Sequence, residues 1–596
     1  MIKEILIFGQ LNKKITFRLL FLMLFKRLNA SKKFQFKLLL LLSVLVALLE
    51  LCSLGALLPF LGMLTSTKNY ENNRIIVWAI NYFSMTGKNA PLILFASIFG
   101  IFIFFSTVMR LLLLKSTTWL CHTVGSDISK DIYRANLYQK YSLHISQNSS
   151  DVISAISSKV DLVINGEIIP LCNMITSLTM LTIVLIALLF YNSLITIILI
   201  FSFSLIYLLI MKFTKKMLST ASNKMATESS NSVRILQEGL GGIRDVIIGG
   251  FQESYVKIFS EADHGLRASQ GKVAFLSQYP RFLIEGLAML LVTTLALIIV
   301  VGSKNNAGLS VIPILGVYAL AAQRLLPVTQ GVYAAWAHIN GNKGALIDVV
   351  KLLCRKESTR IECSGKRISI GEIEMSNMSF SYSPNSALIL DSVSFKIPRG
   401  ARVGIIGRTG SGKSTLVDIL MGLLHPSSGK FMVNGQTIDE LNASEWQAYL
   451  AHVPQAIFLA DATIEENIAF SVPKEEIDRL HLRNVAKIAQ IDEDIQAWPE
   501  RYETRVGERG VKLSGGQRQR IGIARALYKK AGILFFDEAT SALDSKTEQL
   551  IIDGIESFDR ETKKNTVFMV SHRLSTLKNC THILEVENKN VNIRFN

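Results

Sequence analysis

Long apolar runs in the first half of this 596-residue chain constrain its fold more than any other feature. Each run has roughly 18 residues or more, enough for a helix to cross the hydrocarbon layer of a membrane. The runs lie at about 36–64, 91–114, 168–190, 194–211, 282–301 and 309–326, and Pro327 is expected to end the last helix. We therefore predict a membrane α-helical bundle of six transmembrane helices over residues 1–344.

The links between these runs alternate in length and charge. The outer links are short and the inner ones long: 65–90, 191–193 and 302–308, against 115–167 and 212–281. Basic residues fill the inner links and the N-terminal segment, as is typical of cytoplasmic segments. We expect the inner links to extend the helices into the cytoplasm, with both termini on that side. Residues 74–83, in the first outer link, are expected to form an amphipathic interfacial helix.

The overall composition supports a membrane protein. Hydrophobic residues make up 49% of the chain, and the net charge is +17. In a membrane protein such charge collects on cytoplasmic segments, and no nucleic-acid-binding module is recognisable, so we expect no nucleic-acid partner. The six cysteines are scattered and indicate neither a disulfide framework nor a zinc site.

The second half of the chain has a different sequence pattern, without the long apolar runs of the first half. Residues 345–367 are interpreted as a linker, and 368–596 as a cytoplasmic α/β domain in which short strands alternate with helices. Near its start, an apolar strand, a glycine-rich loop and a helix follow one another. The loop has the form GxxxxGK[ST], and its residues are Gly407, Arg408, Thr409, Gly410, Ser411, Gly412, Lys413 and Ser414. Such a loop wraps phosphates with backbone N–H groups, and we predict an α/β P-loop ATPase domain that binds ATP.

The metal and the catalytic base are predicted from a second motif, residues 533–538. Four apolar residues indicate a buried parallel strand, and Asp537 and Glu538 follow at its end. Asp537 is expected to hold Mg²⁺ together with the Ser414 hydroxyl. Glu538 is placed to polarise the attacking water, and Lys413 to reach the β- and γ-phosphates.

A third motif completes a resemblance that covers essentially the whole chain. Residues 513–517 read Leu-Ser-Gly-Gly-Gln and lie shortly before Asp537, so the chain resembles an ABC exporter half-transporter. That resemblance implies the type IV exporter fold. It also implies further nucleotide contacts, at Tyr382 beside adenine, Thr415, Gln455 on Mg²⁺, Ser514, Gly515, Gly516, Gln517, Asp544 and the switch histidine His572. Residues 238–244 and 506–510 resemble the segments that couple the two domains.

The same resemblance implies a partner subunit. In this family the loop containing Ser514 completes the ATP site of the opposite subunit. Because Asp537 and Glu538 are both retained, two copies would form two competent sites. We therefore expect a homodimer that hydrolyses ATP to drive transport.

The cargo is predicted from weaker signals. The membrane half looks most similar to bacterial lipid-linked oligosaccharide flippases, at residues 57–60, Arg110, 279–286 and 323–327. Cationic side chains within a membrane are costly unless they are paired or lie in a watery cavity, and arginine suits phosphate. Arg110, Arg281 and Arg324 are therefore candidates to bind a lipid diphosphate, with pairing or snorkelling as the alternative, for example Arg281 with Glu285.

The sequence favours one interpretation and leaves two rivals open. The favoured one is flipping of a lipid-linked oligosaccharide or related glycolipid across the bacterial inner membrane. Membrane lipids are then also expected to be partners of the protein. The first rival is an ABC exporter of a drug, lipid or peptide. The second is an ATP-gated channel or regulatory subunit, which the retained Glu538 disfavours.

Overall fold

The computed structural model describes most of the chain. The described residues are 17–65, 90–146, 148–191, 193–302, 308–354, 369–383, 386–539, 543–562, 565–571, 578 and 580–595. The expected interfacial helix at 74–83 lies outside them. The chain divides into two compact units, one formed by Met1–Gln139 with Asn148–Glu357 and the other by Lys140–Gln147 with Ser358–Asn596.

The first unit is helical throughout its described part. Its helices are α1 (Phe17–Arg27), α2 (Ala30–Thr65), α3 (Ala90–Leu137), α5 (Ser149–Ser154), α6 (Val160–Val163), α7 (Ile169–Tyr191), α8 (Ser193–Gly241), α9 (Ile243–Ile248), α10 (Gln252–Gly302) and α11 (Gly308–Leu353), whereas α4 (Tyr141–Ser146) belongs to the second unit. Each apolar run predicted from the sequence lies within one of these helices, apart from the first residue of the third run. Among the described residues, Ala30–Ser53, Leu92–Leu137 and Ser149–Phe190 are long and apolar enough to cross a membrane.

The last membrane helix differs from the sequence prediction at its end. Pro327 was expected to end it, and this is wrong because α11 continues to Leu353, into the segment assigned to the linker. A proline removes one helical hydrogen bond, but packing against neighbouring helices can hold the chain helical. Val328 is buried with Ala47 and Met180, and further along Ala345 is fully buried. Packing therefore overrides the proline.

Two π-helical segments interrupt the helix that joins the first inner link to the third run. They are Ala155–Lys159 and Ile164–Ile168, on either side of α6. The first segment buries a charged side chain: Lys159 Nζ lies 2.6 Å from Asp348 Oδ2 and 2.9 Å from Ser230 Oγ. This network ties the first inner link to α8 and α11 within the first unit.

The second unit contains two sheets. Its strands are β1 (Ile373–Phe380), β2 (Leu390–Ile397), β3 (Arg402–Gly407), β4 (Ser428–Val433), β5 (Gln436–Thr437), β6 (Leu450–Val453), β7 (Ile533–Asp537), β8 (Thr566–Val570), β9 (His582–Glu587) and β10 (Asn590–Phe595). An antiparallel sheet has the order β2-β1-β4-β5, and a second, mostly parallel sheet has the order β10-β9-β3-β8-β7-β6. Because β3 and β7 both neighbour β8, their carboxyl ends lie at the same edge of the sheet.

The helices of the second unit flank these strands. Beyond α4 they are α12 (Lys413–Leu420), α13 (Ala443–Gln447), α14 (Ile464–Ile468), α15 (Arg479–Ile488), α16 (Asp492–Ala497), α17 (Gly515–Tyr528) and α18 (Ser545–Thr562). Short 3₁₀ turns occur at Lys474–Glu476, Arg501–Glu503 and Glu508–Gly510. The central strands are apolar on both faces, as burial by helices requires. Phe535 of β7 stacks on Phe568 of β8 with ring centroids 4.7 Å apart.

Candidate nucleotide-binding site and membrane cavity

The P-loop connects β3 to α12 and encloses the side chain of its own lysine. Lys413 Nζ donates to the carbonyl oxygens of Gly407 at 2.8 Å and Arg408 at 3.0 Å. These bonds hold the ammonium group inside the loop, where a phosphate could compete for it. Arg408, Thr409 and Gly410 are exposed around it.

Glycine is required at two points of this loop. Gly407 has a φ of 151°, and a Cβ there would lie 2.4 Å from the carbonyl oxygen of Val586. Gly412 has a φ of 104° and precedes the first turn of α12. Ser411 lies between these two glycines. The N-terminus of α12 and the exposed Ser414 follow directly after Gly412. A helix N-terminus in a glycine loop is suited to bind phosphate.

The acidic pair lies across β8 from this loop. Asp537 is the last residue of β7 and is in register with Val570 of β8. Burial raises the pKa of Asp537 above its ordinary value, and the charge of Glu538 raises it further, while Lys413 acts in the opposite direction. The structure thus places Lys413 and Asp537 close enough for their charges to interact.

Glu538 has an unusual backbone conformation and a defined side-chain partner. Its φ is 48°, a left-handed conformation that is uncommon outside glycine. The amide nitrogen of Gln455 donates to Glu538 Oε2 at 2.7 Å. Two residues far apart in sequence, each assigned to the same site, are therefore in direct contact.

Asp418 is a further acidic residue of this site that the sequence analysis missed. Burial and the neighbouring charge of Asp537 raise its pKa to about 6. The available signal was helical spacing, because Asp418 follows Ser414 by four residues on α12 and so shares its face. An aspartate one turn into a P-loop helix would be read from sequence as a solvent-exposed residue.

Tyr382, assigned to adenine, lies beside the start of α12. Its hydroxyl is 3.1 Å from Thr415 Oγ1, and its side chain is 50% exposed. Burial raises the pKa of Tyr141 of α4 above its ordinary value. The nearby charges of Asp418 and Tyr382 raise this pKa further. A short segment of the first inner link thus belongs to the surroundings of this site, and Lys140 forms an ion pair with Glu440 at 2.5 Å.

The predicted signature loop forms a capped helix start. Ser514 Oγ accepts from the Gln517 backbone N–H at 3.2 Å, and the Gln517 side chain accepts from the Ser514 N–H at 3.0 Å. Gly515 and Gly516 form the first turn of α17. The capping box engages two backbone N–H groups, while Ser514 and Gly515 remain exposed at the start of α17, where a phosphate could bind.

Asp544 caps the next helix. It accepts hydrogen bonds from the Thr547 backbone N–H at 3.0 Å and hydroxyl at 2.7 Å, and these lower its pKa. Its neighbours Ser541 and Ala542 lie outside the described residues, as does His572. The assigned role of His572 therefore stays a prediction.

Comparisons with known proteins agree with both halves of the chain. Residues 38–323 match the family described as ABC transporter transmembrane region, and residues 390–541 match ABC transporter. The chain belongs to the ABC transporter family. It is an ATP-driven exporter with a transmembrane region and an ATP-binding domain, and its predicted fold class is confirmed.

Individual relatives are similar over different shares of this transporter. A multidrug resistance-like ATP-binding protein, MdlA of Buchnera aphidicola, is 28% identical over 84% of the chain and 85% of its own length. An ATP-dependent lipid A-core flippase of Cupriavidus metallidurans is 28% identical over 60% of each chain. A bacterial Atm1-family ABC exporter, solved with ATP bound, has the same fold: TM-score 0.73, 23% identity, covering 92% of this chain and 93% of that one.

The transmembrane unit of the transporter contains a cavity of about 600 Å³. Helices α2, α3, α7 and α11 line it, with the polar residues Ser43, Ser53, Arg110, Thr176, Ser177 and Gln323 among its walls. Arg110 is the only charged side chain among the described residues that line the cavity. Its guanidinium pairs with Glu50, and 48% of its side chain is exposed while that of Glu50 is 1% exposed.

The other two candidate arginines are placed differently. Arg281 Nε lies 4.0 Å from Glu285 Oε2, one turn along α10, and it does not line the cavity. The side chain of Arg324 lies outside the described residues, although its neighbours Gln323 and Pro327 line the cavity. Of the three candidates, the structure therefore brings Arg110 alone to this cavity, within the described part of the chain.

Proposed function

We propose that this protein is a homodimeric flippase of the bacterial inner membrane, which uses ATP to move a lipid-linked oligosaccharide or related glycolipid. The observation that carries the proposal is the half-exposed Arg110 side chain, which lines a cavity of about 600 Å³ within the transmembrane unit. A guanidinium binds phosphate in a fork geometry, and a cavity can admit a polar headgroup while the lipid chains stay in the membrane. Similarity to lipid A-core flippases supports the same class of cargo.

The driving reaction would occur at the P-loop. Lys413 and the N-terminus of α12 bind and orient the phosphates, and Glu538 accepts the proton of the attacking water. Ser514 of the second subunit would complete the site. Positioning and electrostatic stabilisation supply most of the catalysis in such reactions.

The side chains present fit Mg²⁺. Ser414 offers an exposed hydroxyl, Asp537 a carboxylate, and Gln455 an amide oxygen whose nitrogen is directed to Glu538. Mg²⁺ prefers oxygen ligands and binds to few protein groups in ATPases, with water and phosphate providing the rest. When bound, it would neutralise charge on the phosphates. It would also relieve the repulsion between Asp537, Glu538 and Asp418.

A drug exporter is the second candidate, since MdlA is named for multidrug resistance. The two candidates differ in what the cavity must recognise. A lipid diphosphate needs Arg110, whereas an uncharged or cationic drug does not. A channel or regulatory subunit would not need Glu538 to move cargo.

A transport assay with defined variants separates these candidates. Proteoliposomes containing a fluorescent polyprenyl-diphosphate oligosaccharide would be given ATP, and protection of the label from an external quencher would be followed. We expect ATP-dependent movement by the unmodified protein, none by Glu538→Gln, and at least a roughly tenfold loss in Arg110→Glu with ATPase activity retained. Movement of this lipid at an unchanged rate by Arg110→Glu would contradict the proposal. Movement by Glu538→Gln on ATP binding alone would indicate a channel.

A further inference from the structure

The first membrane helix carries a buried carboxylate that the proposed transport function leaves unexplained. Glu50 interrupts the apolar run of α2, and its side chain is 1% exposed. Isolated ionised carboxylates are too costly to bury, so a charge at such a position is held by a partner. Its partner is Arg110 of α3.

The two members of this pair differ in exposure. Glu50 is enclosed, whereas 48% of the Arg110 side chain is exposed and this side chain lines the cavity. A guanidinium has five N–H donors in a flat fork, so a carboxylate on one edge leaves other donors for a second anion. Arg110 can therefore pair with Glu50 and still donate to an anion in the cavity.

The surroundings of Glu50 are also part of the cavity wall. Ser43, Val46, Ala47 and Ser53 of α2 line the cavity and lie on the same helix face as Glu50. The hydroxyls of Ser43 and Ser53 donate to backbone carbonyl oxygens of their own helix, at 2.7 and 2.8 Å. Their hydroxyl hydrogens are therefore engaged within α2, and Arg110 is the only charged donor among the described residues that line the cavity.

We infer that Glu50 is a positioning and specificity-determining residue, which aims the Arg110 guanidinium at the cavity and sets its affinity for an anionic headgroup. This inference rests on the proposed function. The carboxylate offsets the positive charge of Arg110. A phosphate can then bind to the guanidinium fork, but with a lower affinity than to an unpaired arginine. An exporter needs such moderate affinity because it must release what it binds.

Two substitutions of Glu50 have opposite expected effects. Glu50→Gln keeps the side-chain length and removes the opposing charge, so binding of a polyprenyl diphosphate should tighten by about tenfold, or about 1.4 kcal/mol. Glu50→Asp keeps the charge but shortens the side chain by one methylene and draws the guanidinium away from the cavity. Binding of the same lipid should weaken by about fivefold. Neither change should alter binding of the uncharged polyprenol.

The measurement is equilibrium binding of radiolabelled polyprenyl diphosphate, and of polyprenol of the same length, to full-length protein in lipid nanodiscs. Asp263→Asn is a matched control, because it removes an acid from an exposed ion pair with Arg267 of the same unit. It should leave both affinities unchanged. Basal ATPase activity and a monodisperse elution profile report that each variant is folded.

A purely structural ion pair predicts a different result. Both Glu50 variants would then bind the two lipids in the same ratio as the unmodified protein, and this would overturn the inference. If Glu50→Gln does not fold, Glu50→Asp decides alone, since an unchanged ratio in that variant contradicts the positioning role. An unmodified protein that does not distinguish the diphosphate from the alcohol would instead contradict the proposed function itself.

Discussion

Gln455 donates a 2.7 Å hydrogen bond to Glu538, so two side chains from distant parts of the ATPase domain meet at one carboxylate oxygen. The bond engages the predicted catalytic base and directs the Gln455 amide oxygen away from it. Mg²⁺ held by Gln455 and Asp537 would attract that oxygen. The pair would then link the state of the base to occupancy of the site.

Removing the charge of Glu538 should stop turnover without preventing nucleotide binding. In Glu538→Gln the side chain keeps its shape but can no longer accept a proton, and general-base catalysis typically contributes about 10²–10⁴-fold. We expect ATPase activity in lipid to fall by at least about 100-fold, with ATP affinity within a few-fold of the unmodified protein. Retention of a tenth or more of the activity would exclude Glu538 as the base.

Asp418 should make the ATPase domain sensitive to pH. Its pKa of about 6 exceeds the ordinary aspartate value of 3.8, so the folded state binds more protons than the unfolded state between these pH values. The free energy of unfolding therefore falls as pH rises through this window. Asp418→Asn should be more stable than the unmodified protein at pH 7.5, on the order of 1 kcal/mol after solvent screening, and no more stable at pH 4.

Thermal unfolding of the full-length protein at pH values from 4 to 7.5 would test this prediction. Asp461→Asn is a suitable control because Asp461 is exposed. A stability difference that did not grow with pH would show that Asp418 is not protonated preferentially in the folded state.

The buried pair of Lys159 and Asp348 should matter more for stability than exposed pairs. Lys159 is 5% exposed, so Lys159→Ala leaves its carboxylate partner and Ser230 without a cation and should destabilise the transmembrane unit by about 3 kcal/mol. Arg234→Ala removes an exposed pair with Glu238 and should cost less than about 1 kcal/mol. The double change Lys159→Met with Asp348→Leu should recover much of the loss.

Chemical or thermal denaturation in detergent would compare these variants. Equal losses of stability from Lys159→Ala and Arg234→Ala would contradict the prediction that the buried pair contributes more to stability than the exposed pair.

Some features of this molecule followed from sequence because local patterns determine them. Apolar runs of membrane length and the P-loop at Gly407–Ser414 depend on residues that are near one another in the chain. Contacts between distant segments were less predictable. Pro327 does not end α11 because Val328 is packed among other helices, and the pairing of Glu50 with Arg110 depends on how α2 and α3 align. Likewise the pKa of Asp418 depends on Asp537, which lies far along the chain.

The proposal that two subunits share each nucleotide site is tested most directly by mixed dimers. One subunit would carry Lys413→Ala and the other Ser514→Arg, and differently tagged copies would be purified together and placed in lipid. If Ser514 completes the site of the partner subunit, both substitutions lie in one nucleotide site and the other site is unmodified. We predict that each variant alone is inactive and that the mixed dimer retains roughly half of the ATPase activity if the two sites act independently. With independent sites, a mixed dimer as inactive as either variant alone would contradict the account, since Lys413 and Ser514 of the same chain would then serve the same nucleotide.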